Sequence, residues 1–186
     1  MAITDSIVNF RRSLKRRNLS RHTVKNYINS LGHFVMWISV PIESVSREDI
    51  GAYIDHLMDK ALKPETINAH LNRIRQFYRY LIEQEQWGLT NPVQAVPKVR
   101  VPKPLPKHLQ DRQAQAFLEV PKCPRDQAMF LLMLRCGLRV EEIAKLKLDV
   151  IEFRRRRIWV RDGKGGKDRM VYVSNDSMDA LIAYLK

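Results

Sequence analysis

Apolar residues recur along the first half of this chain at intervals of three and four, the spacing that places side chains on one face of an α-helix. Ile3, Ile7, Phe10 and Leu14 form the first such stripe. Val24, Tyr27, Ile28, Leu31, Phe34, Val35 and Ile38 form the second, which opens at Ser20 as N-cap with Leu19 and Val24 placed for a hydrophobic staple. A third helix is expected from the N-cap Ser46 to Asp59, with Glu48 and Asp49 in its first turn, where the helix dipole favours acids. The fourth is the longest. Pro64 suits its first position, and Ile67, Leu71, Ile74, Phe77, Tyr78, Leu81 and Ile82 make one continuous apolar face.

After Trp87 the pattern breaks. Pro92, Pro97, Pro102, Pro104 and Pro106 fall among Lys98, Arg100, Lys103 and Lys107, which predicts an extended basic linker over 91–107 between a domain at 1–90 and a second at 108–186. The second region opens with helical segments at Asp111 to Glu119 and from Pro124 onward. In the latter, the run Ala128 to Leu134 is apolar all round and is expected to be buried, with Gly137 as its C-cap. A short helix through Lys145 follows. The alternating segments Arg157 to Val160 and Arg169 to Val173 read as strands flanking a Gly-rich turn, and a last helix is expected after a cap at Asn175 or Asp176.

Charge narrows the class of partner. The chain carries 33 Lys+Arg against 20 Asp+Glu, a formal net charge of +13. The excess is shared, 14 basic to 9 acidic residues up to Lys98 and 19 to 11 thereafter, as in a clamp around a polyanion rather than a neutral domain with a basic tail. With 45% apolar residues the chain has material for packed cores. Cys123 and Cys136 lack metal-ligand spacing and suit a reducing compartment. No stretch has the length of a membrane span, and the amino terminus lacks a signal-peptide pattern, so a cytoplasmic protein is expected.

Two polar stripes lie opposite the apolar faces. Asn68, Asn72, Arg75 and Arg79 share one side of the fourth helix, and Arg21, Lys25 and Asn29 share one side of the second. Amides and guanidiniums are the groups that read base edges and hold phosphates, although every surface helix also needs a solvated face. Later, Cys136-Gly137-Leu138-Arg139-Val140-Glu141-Glu142-Ile143-Ala144-Lys145-Leu146 leads to Asp149 and to the basic hairpin Gly163-Lys164-Gly165-Gly166-Lys167-Asp168-Arg169.

In these motifs the chain resembles the tyrosine recombinases of the phage integrase and Xer type. The first half is similar to that family's core-binding domain, particularly Lys63-Pro64-Glu65-Thr66-Ile67, the run from Ile74 to Leu81, and Asn91-Pro92. The resemblance implies a mainly α fold with a small β component: a SAM-like four-helix core-binding domain followed by a partial α+β catalytic domain. It implies double-stranded DNA as partner, no cofactor and no metal. A tyrosine of such enzymes attacks a DNA phosphate, and fixed cations stabilise the transition state. Arg139 matches the first catalytic arginine, Glu142 the acid that orients it, and Lys164 the hairpin lysine that protonates the leaving 5' oxygen, with Lys167 as the rival for that role. Cys136 stands where a threonine is common.

The family's later His-x-x-Arg motif, second His or Trp, and nucleophilic Tyr have no counterpart after Lys167. His70-Leu71-Asn72-Arg73 has matching letters but lies on the fourth helix, where a packed histidine is expected, while Tyr172 falls on a strand and Tyr184 on the following helix. The expectation is therefore a recombinase cut inside its catalytic domain, monomeric off DNA and meeting other protomers on it, that binds DNA without cutting. The alternatives are a nucleophile-free regulator or decoy of recombination sites and, less compatible with the first half, a type IB topoisomerase-like enzyme.

Overall fold

The computed structural model describes residues 3–94, 96–105, 108–163 and 166–186. It divides into two compact units, Met1–Pro104 and Leu105–Lys186.

The first unit is built on four helices, α1 (Ile3–Arg16), α2 (Arg21–Trp37), α3 (Arg47–Asp59) and α4 (Pro64–Glu83), with a short 3-10 helix at Ile42–Ser44. Their starts follow local chemistry. The Ser20 hydroxyl accepts the Thr23 amide, and Ser46 and Asp49 form a reciprocal capping box in which Asp49 accepts the Ser46 amide at 2.8 Å. Phe10, Leu14, Leu31, Phe34, Ile50, Ile67, Ile74, Phe77 and Leu81 are essentially inaccessible and form the core. Polar groups that enter it are partnered, as burial demands. Tyr78 donates to the Ile42 carbonyl at 2.9 Å, Ser6 to Glu85 at 2.6 Å, and the buried Ser30 hydroxyl accepts from Arg73 at 2.8 Å.

The segment expected to be an extended linker is in part docked. Val93 is fully buried in the core of the first unit. Asn91 accepts the Val93 amide at 3.2 Å and donates to the Arg75 carbonyl at 3.0 Å, which folds the Asn91-Pro92 turn onto α4. Further on, the Asn68 amide donates to the Val99 carbonyl at 2.8 Å and accepts the Val99 amide at 2.9 Å, pairing with extended backbone as a neighbouring strand would. Proline spacing predicts an extended backbone; it carries no information about what that backbone lies on.

The second unit contains α5 (Asp111–Leu118), α6 (Pro124–Cys136), the single-turn α7 (Val140–Ala144), a 3-10 helix at Leu148–Val150, then β1 (Ile151–Glu152), β2 (Arg157–Gly163), β3 (Lys167–Tyr172) and α8 (Asn175–Leu185). The strands form one antiparallel sheet in the order β1-β2-β3. Ile158 and Val160 point into a core with Leu132, Leu138, Ile151, Val173, Met178 and Leu181. Three expectations need correction. Helix α6 buries Ala128, Leu131 and Leu132, whereas Leu134 is 44% exposed, so its apolar run is one-sided. The last helix is capped by Ser174, one residue earlier than expected. Strand β2 runs on to Gly163 and β3 begins at Lys167, beyond the expected strand ends at Val160 and Arg169, and a register irregularity between Val160 and Gly163 absorbs the extra residue.

Candidate active site

The turn between α6 and α7 carries Arg139. Gly137 closes α6 in the left-handed region at φ 66°, a conformation that disfavours any side chain. Leu138 then plugs into the core of the second unit at 4% exposure, which pins the next residue. Arg139 takes an extended backbone as N-cap of α7 and projects a guanidinium whose side chain is 55% exposed.

Glu142, on the first turn of α7, holds that arginine twice. One carboxylate oxygen accepts the Arg139 backbone amide at 2.8 Å and the other accepts Nη1 at 2.9 Å. Both oxygens also accept from Arg169 of β3, Nη1 and Nη2 each at 2.7 Å, in a two-pronged fork. The Glu142 side chain is only 10% exposed, so the charge is shielded from water and answered by two guanidiniums. Hydrogen bonds from Arg169, and then those from the Arg139 backbone and side chain, hold its carboxyl down at about 2, against a burial effect of opposite sign. The Arg169 guanidinium is correspondingly pushed up by the same carboxylate.

Gly163, at the end of β2, lies against this pair. A Cβ there would sit 2.7 Å from the Lys167 carbonyl oxygen, 3.2 Å from Arg169 Nη1 and 3.6 Å from Glu142 Oε1, so the close approach requires glycine. Gly163 pairs with Lys167 in the ladder, and Gly166, at φ 68°, donates to the Gly163 carbonyl at 2.8 Å to close the turn. Lys164, expected to be the hairpin acid, lies outside the described residues. Its rival Lys167 is exposed at the start of β3.

The residues expected to meet DNA divide in two. Arg21, Lys25 and Asn29 are all exposed on α2, and Asn72 is exposed on α4. Arg79 is exposed in a 2.7 Å pair with Glu83. Asn68 and Arg75 have internal work: Asn68 holds Val99 as described, and Arg75 Nη2 donates to the Val93 carbonyl at 3.2 Å. The α4 stripe is thus two structural residues interleaved with two exposed ones. His70 is half-buried with its Nδ1 3.3 Å from the Tyr53 hydroxyl, and burial, then Arg73 and His33, push its titration down, as a packed histidine requires. Tyr172 is 64% exposed on β3 beneath the Arg157 guanidinium, and Tyr184 is 48% exposed on α8. Arg169 is the functional candidate that sequence reasoning passed over. Its signal was the position two residues after Lys167, on the same strand face, but the acid it would meet is 27 residues away in sequence. No group of three or more His, Cys, Asp or Glu among the described residues is placed to hold a metal, and no described helix is long and apolar enough to cross a membrane.

Two family models match the chain: "Phage integrase, N-terminal SAM-like domain" over residues 7–87 and "Phage integrase family" over 107–186. Among curated proteins, tyrosine recombinase XerD of Pseudomonas putida is 33% identical over 178 residues, covering 90% of this chain and 58% of the relative. Tyrosine recombinase XerC of Shewanella oneidensis is 31% identical over 176 residues, covering 91% of this chain and 57% of the relative. The chain spans less than three fifths of the length of these two relatives. Among solved structures, a lambda integrase tetramer bound to a Holliday junction matches with TM-score 0.77 at 16% identity, covering 98% of this chain and 56% of that one. The Tn1549 transposon integrase in complex with transposon right end DNA matches with TM-score 0.76 at 17% identity, covering 100% of this chain and 65% of that one. At these identities the structural matches speak for the fold.

Proposed function

Since the chain belongs to the phage integrase family of tyrosine recombinases, we propose that it acts on double-stranded DNA in site-specific recombination, with Arg139 as the cation that grips the scissile phosphate. The observation that carries this reading is the Glu142 carboxylate, which fixes Arg139 by backbone and side chain while leaving that side chain about half in solvent. An arginine held that way keeps donors for an incoming anion and is preorganised for two nonbridging oxygens. In the transesterification, a tyrosine hydroxyl oxygen bonds to phosphorus, the bond to the 5' oxygen breaks, and a proton must reach that leaving oxygen. Lys164 is the residue we assign to deliver it, on the hairpin whose base rests on the Glu142 and Arg169 pair.

Within these 186 residues no tyrosine is assigned the attack, because Tyr172, on β3, and Tyr184, on α8, do not match the place of the family's nucleophile. The chain as given is therefore proposed to bind DNA and form no covalent adduct. The lambda integrase structures, a dimer on a core site and a tetramer on a Holliday junction, support a role for several protomers on DNA. Off DNA we assign a monomer, in the cytoplasm. The exposed Arg21, Lys25, Asn29 and Asn72 are the first unit's proposed contacts.

The test is duplex binding across a salt series, with a nicked suicide substrate alongside. A clamp that neutralises about six phosphates gives a slope near −5 in log affinity against log salt, and no denaturation-resistant protein–DNA band is expected. A flat salt response would remove the DNA reading. A band abolished by Tyr172→Phe or Tyr184→Phe would make this chain a self-sufficient nuclease-ligase. Salt-dependent binding that is indifferent to Arg139→Ala would favour the second reading, a DNA-binding regulator whose affinity comes from the first unit.

A further inference from the structure

Three elements converge on the Glu142 carboxylate: Arg139 at the N-cap of Glu142's own helix α7 and Arg169 on β3 donate to it, and β2 passes so close at Gly163 that a Cβ there would sit 3.6 Å from Oε1. The two arginines use it differently. Arg139 gives one guanidinium nitrogen and its backbone amide and stays 55% exposed. Arg169 gives both terminal nitrogens and is 33% exposed, so its fork is spent on Glu142 rather than turned to solvent. Its partner across the ladder is the buried Val160, which fixes the strand beneath it.

We propose that Arg169 is a positioning residue for the phosphate-binding site: its fork clamps Glu142 so that the carboxylate holds Arg139 in one orientation, and the same fork ties the hairpin of Gly163 to α7. This rests on the reading of Arg139 as a phosphate ligand, and it assigns Arg169 no contact with DNA. The geometry explains why an arginine stands there. A carboxylate held only by Arg139 would have one rigid anchor, the backbone amide on Oε2, and one through a half-exposed side chain on Oε1, so its plane could still turn about the amide-bound oxygen. Two parallel bonds from a second, strand-borne guanidinium fix the carboxylate plane. Lysine, a point charge on a flexible stem, would neutralise Glu142 and leave that plane free. The absence of a side chain at Gly163 has the same logic, since any Cβ would displace either the Lys167 carbonyl or the fork.

The experiment is a double-mutant cycle on the full chain, with Arg139→Ala, Arg169→Ala, Arg169→Lys and the double alanine variant. The probe is a mixed-sequence DNA duplex, titrated across a salt series. Arg169→Ala is expected to lose most of what Arg139→Ala loses, and the double variant no more than Arg139→Ala alone. Arg169→Lys should recover only part. The salt slope of the double variant should be shallower than the parent's by about one, the mark of a single lost phosphate contact. Additive losses with a slope shallower by about two would overturn the proposal by making Arg169 a phosphate ligand itself. Unaltered affinity of a folded Arg169→Ala would overturn it as well.

A second readout keeps the two readings apart. The Arg139 guanidinium signals, followed by 15N NMR in the absence of DNA, should show restricted rotation in the parent and free rotation in Arg169→Ala and, less completely, in Arg169→Lys. If Arg139→Ala binds DNA like the parent, the phosphate reading fails and the positioning claim is decided by this signal alone. If Arg169→Ala does not fold, Arg169→Lys decides: full parental affinity together with parental rotation of Arg139 would refute the need for the fork.

Discussion

Replacing Glu142 by Gln tests the centre of the second unit with almost no change in shape. The carboxylate accepts three hydrogen bonds from guanidinium nitrogens and one from a backbone amide, and glutamine can accept only on its single oxygen while turning an NH2 toward two cations. Moving a carboxyl from its ordinary 4.5 to about 2 corresponds to about 3 kcal/mol. Arg139 is 55% exposed and Arg169 33%, so solvent screens part of that, and about 2 kcal/mol is the expected loss near neutral pH. For a unit of this size that is a fall of about 10 °C in Tm.

The pH dependence has a definite sign. Because the folded carboxyl titrates below the unfolded one, its stabilisation is fully present above about 4.5 and disappears as pH falls toward about 2. Glu142→Gln should therefore be less stable at neutral pH and flatter across that acid window, the two proteins converging at its lower end. Urea unfolding followed through the Trp159 indole resonance reports this unit, because the other tryptophans, Trp37 and Trp87, lie in the first. A loss under about 0.5 kcal/mol, the range of an ordinary surface substitution, together with an unchanged acid slope, would refute the account of Glu142 as a charged keystone.

Gly163→Ala should cost about 1 to 3 kcal/mol through overpacking against the Lys167 carbonyl, read by the same unfolding curve, and should release the Arg139 and Arg169 guanidinium signals together. Asn68→Ala should accelerate tryptic cleavage after Lys98 and Arg100, which flank the Val99 backbone that Asn68 holds, whereas Asn72→Ala should leave cleavage unchanged. Equal cleavage rates in both variants would show that the Val99 contact does not protect the segment. His70 should titrate below 6.5 by NMR, and Arg73→Ala should raise its value without restoring it, since burial is the larger cause. Protonating it works against the fold, so this group's share of stability is present above 6.5 and declines as pH falls below that value.

The four helices of the first unit were legible because each is an autonomous amphipathic stripe, and three of them open where the sequence says they should, at the caps Ser20 and Ser46 and at Pro64 in the first helical position. The left-handed Gly137 after α6 and the two strands around the hairpin were equally local. Arg139 and Glu142 could be paired from sequence because three residues on one helical turn bring them together. The uses of Asn68 and Arg75 were hidden, since an exposed-looking amide and guanidinium on a helix carry the same letters whether they face a base edge or hold Val99 and Val93. The one-sidedness of α6 was hidden for a related reason: periodicity gives a helix its apolar residues, but only its neighbours decide which of them are covered. The sequence by itself determined the helices, the two hairpin strands to within a few residues, the caps at Ser20 and Ser46, the basic charge and the arginine with its acid, all properties of residues within a turn or two of each other. Only the tertiary structure decided that Arg169, brought from the hairpin across 27 residues, forks onto the carboxylate of Glu142 and that Gly163 leaves room for it, because long-range contact depends on how strands and helices pack, which no local spacing encodes.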